Sequence, residues 1–182
     1  LPLAHVLELC CELVGTAVGV RVGYSSPQTL TDTSTKIKKG TKGDVSVLKP
    51  TLMACVPTIL DRISKSVWEK VNEGGLLSTE LFKWAYEYKA ERLNKGFRSI
   101  LLDKLVFRKI RKLLGKRLRY MLSGGAPLSA EAQKFVNVCF CKMVQGYGLT
   151  ETCGAGTVMT MDDLRPSQVG APLSCLPIRL RP

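Results

Sequence analysis

Short apolar runs alternate with longer stretches of helical period along this chain. Val6 to Val20 is apolar nearly all round, which predicts a buried helix. Tyr24 to Thr35, rich in Ser, Thr and Pro, predicts a loop, and Lys36–Gly43 follows as a basic connector punctuated by glycine. Asp44 is placed to cap a short helix through Leu48, with Pro50 as its stop. Thr51–Val56 is a compact apolar run closed by Pro57, the pattern of a buried strand. Thr58–Asn72 reads as a helix, and so does a segment capped by Ser78 or Thr79 and running to Asn94. In that second helix Leu81, Trp84, Ala85, Tyr88 and Leu93 recur at roughly helical spacing. Ile100–Leu114 is a further amphipathic helix, stopped by Gly115. Leu118–Leu122 and Lys142–Gln145 read as strands, and Ser129 opens a helix between them with Glu131 in its first turn. Ile178–Leu180 alternates like a strand.

Strands alternating with helices predict an α/β fold with a largely parallel sheet. In such sheets ligands bind beyond the carboxyl ends of the strands. Two glycine-bearing loops fall there, Ser123–Leu128 after one strand and Gly146–Thr152 after another. In the second loop Tyr147 lies between Gly146 and Gly148, and its ring offers a flat face to a purine. Thr150 is suited to donate to a phosphate oxygen. Glu151 is a hard oxygen ligand of the kind Mg²⁺ takes beside phosphates. Either loop alone is also an ordinary turn, and a Thr-Glu pair often starts a helix. No Gly-Lys-Ser/Thr follows the first loop, so it is not a Walker loop.

The chain has 182 residues, 45% of them hydrophobic, which suits one domain or a large piece of one. It opens directly on apolar sequence and closes on a strand-like run, the expectation for an internal piece of a longer protein. A formal net charge of +12 implies affinity for something anionic: nucleic acid, an acidic membrane surface or a phosphorylated small molecule. The seven cysteines are odd in number, lie mostly in apolar sequence and form no C-x-x-C pair, and His5 is the sole histidine. That spacing disfavours zinc and suits reduced thiols in a cytosolic setting. The apolar stretch Leu3–Val20 carries His5, Glu8 and Glu12, which argues against a membrane span. Lys104, Arg108, Lys109, Arg111, Lys112, Lys116, Arg117 and Arg119 make one basic segment without an acidic residue. It reads as a solvated helix face, or as a contact for the phosphates of a ligand or for anionic lipid. A nucleic-acid-binding module would interleave stacking aromatics with these cations, and only Phe107 lies among them, so nucleic acid is not expected.

Taken together, "LSGGAPLS" at Leu122–Ser129, "QGYGLTET" at Gln145–Thr152 and "VGAPL" at Val169–Leu173 resemble the acyl-adenylate-forming ligases. "LPLAHVLEL" at Leu1–Leu9 and "LKPTLMACVPTILDRI" at Leu48–Ile63 narrow the resemblance to the long-chain fatty acid–CoA ligases, nearest the animal arachidonate-favouring subtype. These two motifs argue against other adenylating enzymes, such as aryl–CoA ligases or luciferase-like oxygenases. The resemblance implies the large N-terminal domain of that fold, with ATP, Mg²⁺ and CoA as cofactor and co-substrates and a long-chain fatty acid as substrate. It implies stacking of adenine on Tyr147, with Gly124, Gly125 and Ala126 as the opposite wall and Gly148 shaping the turn. Thr150 would contact the α-phosphate and Glu151 would hold Mg²⁺. His5 would line the carboxylate end of the acyl pocket, or simply start a helix with its ring satisfied by backbone. Gly146 would line the acyl tunnel. Leu9 stands where some relatives carry a gating tryptophan. The phosphate-wrapping loop, ribose-binding aspartate, hinge and catalytic lysine of the family are expected outside residues 1–182, so this piece alone is expected to be inactive. The family also implies the cytosolic face of the endoplasmic reticulum, mitochondrial outer membrane or peroxisome.

Overall fold

Residues 3–179 are described by a computed structural model. Leu1 and Pro2 of the first motif, and Leu180 of the strand-like terminus, lie outside the described residues. The chain folds as α1 (Val6–Ala17), α2 (Asp44–Leu48), β1 (Leu52–Cys55), α3 (Pro57–Glu73), α4 (Leu76–Asn94), α5 (Ile100–Leu105) and α6 (Phe107–Lys112). It continues through β2 (Tyr120–Ser123), α7 (Ala130–Cys139), β3 (Lys142–Gly148), β4 (Gly156–Val158) and β5 (Ala171–Pro172). The expected α/β architecture is present.

β1, β2 and β3 run parallel in one register, with Leu52, Tyr120 and Lys142 level at the amino ends and Cys55, Ser123 and Gln145 level at the carboxyl ends. Parallel neighbours need crossovers, which helices supply here. α3 to α6 carry the chain from β1 to β2, and α7 carries it from β2 to β3. Past Gln145 the sheet changes character. β3 pairs antiparallel with β4, setting Gly146 opposite Val158 and Gly148 opposite Gly156, and β4 pairs antiparallel with β5.

Local chemistry accounts for several boundaries. Pro57 occupies the first turn of α3, where its missing N–H costs nothing. Ser129 caps α7, its Oγ accepting from Ala132 N at 3.1 Å. Asn137 Oδ1 accepts from Met143 N at 2.7 Å and fixes the start of β3.

The core lies between the sheet and α3, α4 and α7. Trp68 stands edge-on to Phe82 at 5.1 Å and to Tyr86 at 5.6 Å, and Phe82 meets Phe107 at 5.8 Å. Within this cluster lies Lys89, only 2% exposed. Its ammonium sits over the Phe107 ring at 4.4 Å, donates to Asp103 Oδ1 at 2.6 Å and donates to the carbonyl of Val138 near the end of α7. Arg111 Nη2 donates to the same Asp103 oxygen at 3.1 Å. One buried ammonium thus ties α4, α5 and α7 together, and Asp103 adds α6.

Five expectations need correction. α1 is not buried: Leu9, Leu13 and Val14 are all more than half exposed, because only the first turns of the helix meet the sheet. Asp44 is not the cap of α2; Gly43 is, while the Asp44 carboxylate accepts from Ser25 at 2.9 Å and Thr29 at 2.5 Å. α4 starts at Leu76, and neither Ser78 nor Thr79 caps it; Thr79 lies inside its first turn and donates to Val71 O and Gly75 O. Its buried face is Phe82, Ala85, Tyr86, Lys89 and Ala90, leaving Leu81, Trp84 and Tyr88 in solvent. Apolar residues surround α4, so helical spacing alone selects two stripes, and the aromatic cluster decides between them. The helix expected over 100–114 breaks at Val106 into α5 and α6. A straight helix would set residues eight apart about 12 Å from each other along its axis. The bent chain instead lets Asp103 and Arg111 meet.

Candidate active site

The carboxyl edge of the parallel strands is made mostly of backbone. At β2 the chain leaves the sheet through Gly124, which is buried, and Gly125, whose φ of +82° favours glycine. Ala126 and Pro127 are exposed. At β3 the expected loop is strand: Gly146, Tyr147 and Gly148 continue the ladder against β4. The glycines serve close approach rather than turning. A Cβ on Gly148 would run into the backbone of Gly154, and one on Gly146 would sit 3.3 Å from Thr157 O. The turn itself comes later, over Leu149–Gly154. Thr152 Oγ1 accepts from Leu149 N at 2.9 Å, and Gly154 N donates back to Leu149 O at 2.9 Å. That turn presents Thr150 and Glu151 to solvent.

The first turns of α1 lie across both edges. His5 caps the helix, its Nδ1 accepting from Leu7 N at 3.1 Å. In a neutral ring an accepting Nδ1 leaves Nε2 as the donor. That Nε2 lies 3.7 Å from where a Gly125 Cβ would be. One turn on, Leu7 Cδ2 comes within 3.1 Å of the corresponding point at Gly124, which is itself 3.6 Å from Gly146 O. Cys10 Sγ donates to Cys153 O at 3.3 Å and would touch a Gly154 Cβ at 3.2 Å. His5, Gly124–Gly125 and Gly146–Gly154 therefore meet, although well over a hundred residues separate the first from the last.

Tyr147 is 51% exposed, and one edge of its ring lies against Gly156, where a Cβ would be 3.3 Å from Cδ1. Much of the ring is left for a flat ligand. Gln145 points the other way, into the core, where its Nε2 donates to Gln133 Oε1 at 2.9 Å. The Gln133 amide in turn donates to Leu164 O at 3.3 Å. This buried amide pair, the Thr152 lock and the Cys10–Cys153 contact escaped sequence reasoning. The first had a signal in a glutamine opening the glycine motif; the other two depend on long-range placement.

No group of three or more His, Cys, Asp or Glu gathers as a metal site among the described residues. Glu151 forms no salt bridge among them either. A single carboxylate without a salt bridge has the chemistry Mg²⁺ takes, since that ion uses one or two carboxylates and completes its shell with phosphates and water. All seven cysteines are free thiols. Burial pushes the Cys55 and Cys141 thiols up to about 12, and Cys139 higher still, so they pack as small hydrophobes. No described helix is long and apolar enough to cross a membrane.

The "VGAPL" motif reinforces the edge. Thr157 Oγ1 donates to Val169 O at 2.8 Å, and Ala171–Pro172 form β5 against β4. Two shallow concavities lie elsewhere, one on the outer face of α4 around Trp84 and Tyr88, the other between α3 and the start of α7. The glycine edge is open, one wall rather than an enclosed pocket.

The family described as AMP-binding enzyme matches residues 1–181. The chain is 49% identical to "Long chain acyl-CoA synthetase 8" of Arabidopsis thaliana, over 99% of its own length and 26% of that protein's. It is 36% identical to "Long-chain-fatty-acid--CoA ligase 1" of Schizosaccharomyces pombe, over 99% of its length and 27% of that protein's. It thus spans about a quarter of the length of these curated relatives. Among solved structures, its fold is similar to the N-terminal domain of FACL13 from Mycobacterium tuberculosis, with a TM-score of 0.55 and 18% identity, covering 94% of this chain and 32% of that one.

Proposed function

The chain belongs to the AMP-binding enzyme family, and from that premise we propose that the protein carrying it activates long-chain fatty acids, joining them to CoA through an acyl-adenylate. The meeting of His5, Gly124–Gly125 and Gly146–Gly154 at the carboxyl edge of the sheet carries this reading. The names of the relatives support the substrate class.

In the proposed reaction a fatty carboxylate oxygen attacks the α-phosphorus of ATP and pyrophosphate leaves. The CoA thiol then attacks the acyl carbonyl of the mixed anhydride, and AMP departs. Adenine stacks on the exposed face of Tyr147, a contact worth about 1–3 kcal/mol in nucleic-acid complexes. Gly124, Gly125 and Ala126 form the opposite wall, where absent side chains let a flat base approach the backbone. Thr150 donates to the α-phosphate. Glu151 and the nucleotide phosphates would together hold Mg²⁺, which supplies neutralisation of developing charge when bound. Nε2–H of His5, held by the cap bond at Nδ1, faces the loop where the carboxylate enters. Gly146, beside Leu122 and Val158, would line the path of the alkyl chain.

Residues 1–182 supply one wall of this site in the proposal, and turnover belongs to the longer protein. The arachidonate-favouring subtype, read from Leu1–Leu9 and Leu48–Ile63, and residence at the cytosolic face of membranes are part of the same proposal. The test is exchange of labelled pyrophosphate into ATP by the full protein. Exchange that requires a long-chain fatty acid is expected, and arachidonate should outcompete palmitate. Exchange that responds to aryl acids and not to fatty acids would overturn the substrate class.

A further inference from the structure

The basic segment is not the continuous, freely charged helix face that its sequence describes. Arg111 is tied to Asp103 and turned partly inward. Leu102, Val106, Leu113, Phe107 and Ile110 face or adjoin the core. The residues left outside are Leu101 and Leu105, each 69% exposed, with Lys104, Arg108, Lys109 and Lys112 beside them. Within α5, Leu101, Lys104 and Leu105 stand at i, i+3 and i+4 and share one exposed face, and past the break at Val106 the outer residues of α6 are the cations Arg108, Lys109 and Lys112. Ile100, at 65% exposure, adjoins Leu101 at the start of α5.

Two occupants compete for such a stripe: another part of the protein, or a lipid surface. α1 illustrates the first case. Its exposed Leu9, Leu13, Val14 and Val18 have no cation among or between them, the composition of a surface meant for a protein interior. α5–α6 differs. Burying Lys104, Arg108, Lys109 and Lys112 against protein would require four partner carboxylates or a large desolvation cost. An anionic bilayer satisfies both halves at once, with headgroups for the cations and acyl chains for the leucines. The stacking surface a nucleic acid would need is missing from the segment itself, since Phe107 is fully buried.

We infer that α5–α6 is an anionic-membrane contact in which Leu101 and Leu105 enter the headgroup boundary while Lys104, Arg108, Lys109 and Lys112 engage lipid phosphates and carboxylates. The inference is independent of the ligase reading, because its readout uses no catalysis.

The test places a reporter at the stripe of the full protein. L105W is compared with the unsubstituted protein on phosphatidylcholine vesicles with and without phosphatidylserine, using brominated acyl chains as quencher. The difference between the two isolates the new indole from Trp68 and Trp84. The inference expects a blue shift and quenching at L105W that depend on phosphatidylserine. It also expects at least a tenfold loss of vesicle binding in K104E/R108E, and a loss of similar order in L101N/L105N. All four substituted positions are exposed, so thermal unfolding of the variants should match the parent. An unquenched, water-like L105W on phosphatidylserine vesicles overturns the inference. So does vesicle binding that is unchanged in L101N/L105N, or an L105W response that appears with nucleic acid and not with vesicles.

Discussion

The glycine edge and the Lys89 hub are built on opposite principles. The edge is backbone: Gly124 and Gly125 lie against the first turns of α1, Gly124 meets Gly146, and Gly148 packs on Gly154, all for want of side chains, and Tyr147, Thr150 and Glu151 stand exposed around them. The hub is side chain: a lysine whose side chain is 3% exposed, an aspartate, an arginine and an aromatic ring, linking helices. The edge can lose a side-chain contact and keep its shape. The hub cannot lose its cation without leaving the buried Val138 carbonyl unpaired and Asp103 with Arg111 alone. Chemistry and stability are thereby separable by substitution.

The largest effect should come from the hub. K89A takes the donor from the Val138 carbonyl and one of the two donors from Asp103, leaving Arg111, and should destabilise the protein by about 3 kcal/mol in urea unfolding. A loss below about 1 kcal/mol would mean the ion pair is not buried as described. Next is the edge. G148A forces a Cβ into the Gly154 backbone, and overpacking of this kind costs about 1–3 kcal/mol. The distinguishing outcome is in activity: fatty-acid-dependent pyrophosphate exchange should fall far more than stability, since the turn bearing Thr150 and Glu151 must shift. Equal losses in both would erase the contrast between edge and hub.

A smaller effect is a slope in pH. Burial lowers the Lys89 ammonium below its ordinary 10.5, against the opposing effect of the hydrogen bond it donates to Asp103. The folded state therefore releases this proton at a lower pH than the unfolded chain does. Between the lowered value and 10.5 the unfolded chain binds more protons, so this group's contribution to stability rises with pH across that window and is least favourable below it. K89M should lack that rise, as followed by urea midpoints from neutral to alkaline pH. A parent protein whose stability shows no such difference from K89M would contradict the assignment. Smallest is a difference in labelling: with iodoacetamide on the native protein, exposed Cys153 and Cys175 should be modified while Cys55, Cys139 and Cys141 should not.

The sequence made some of this legible and hid the rest for physical reasons. β1 was visible because Pro57 ends a short apolar run, and α7 because Ser129 carries its own capping oxygen. Both signals are local. The face of α4 was hidden because apolar residues surround it, and its buried lysine reads in sequence as a solvated one. Gly146–Gly148 looked like a turn because the partner that makes it a strand, β4, lies beyond the next turn. The site residues were nameable one motif at a time, yet their convergence was not. That depends on α1 docking by its first turns alone, which apolarity along its whole length disguised. For His5 the helix-cap reading is met, its Nδ1 satisfied by backbone, while its Nε2 lies beside Gly125.

The most direct test of the account is binding of a non-hydrolysable acyl-adenylate analogue to the full protein, measured by calorimetry for the parent, Y147A and K89M. The account predicts that Y147A weakens binding roughly fivefold or more with its unfolding midpoint unchanged, while K89M binds as the parent does. Parent-like affinity in Y147A would contradict the claim that the glycine edge holds the nucleotide.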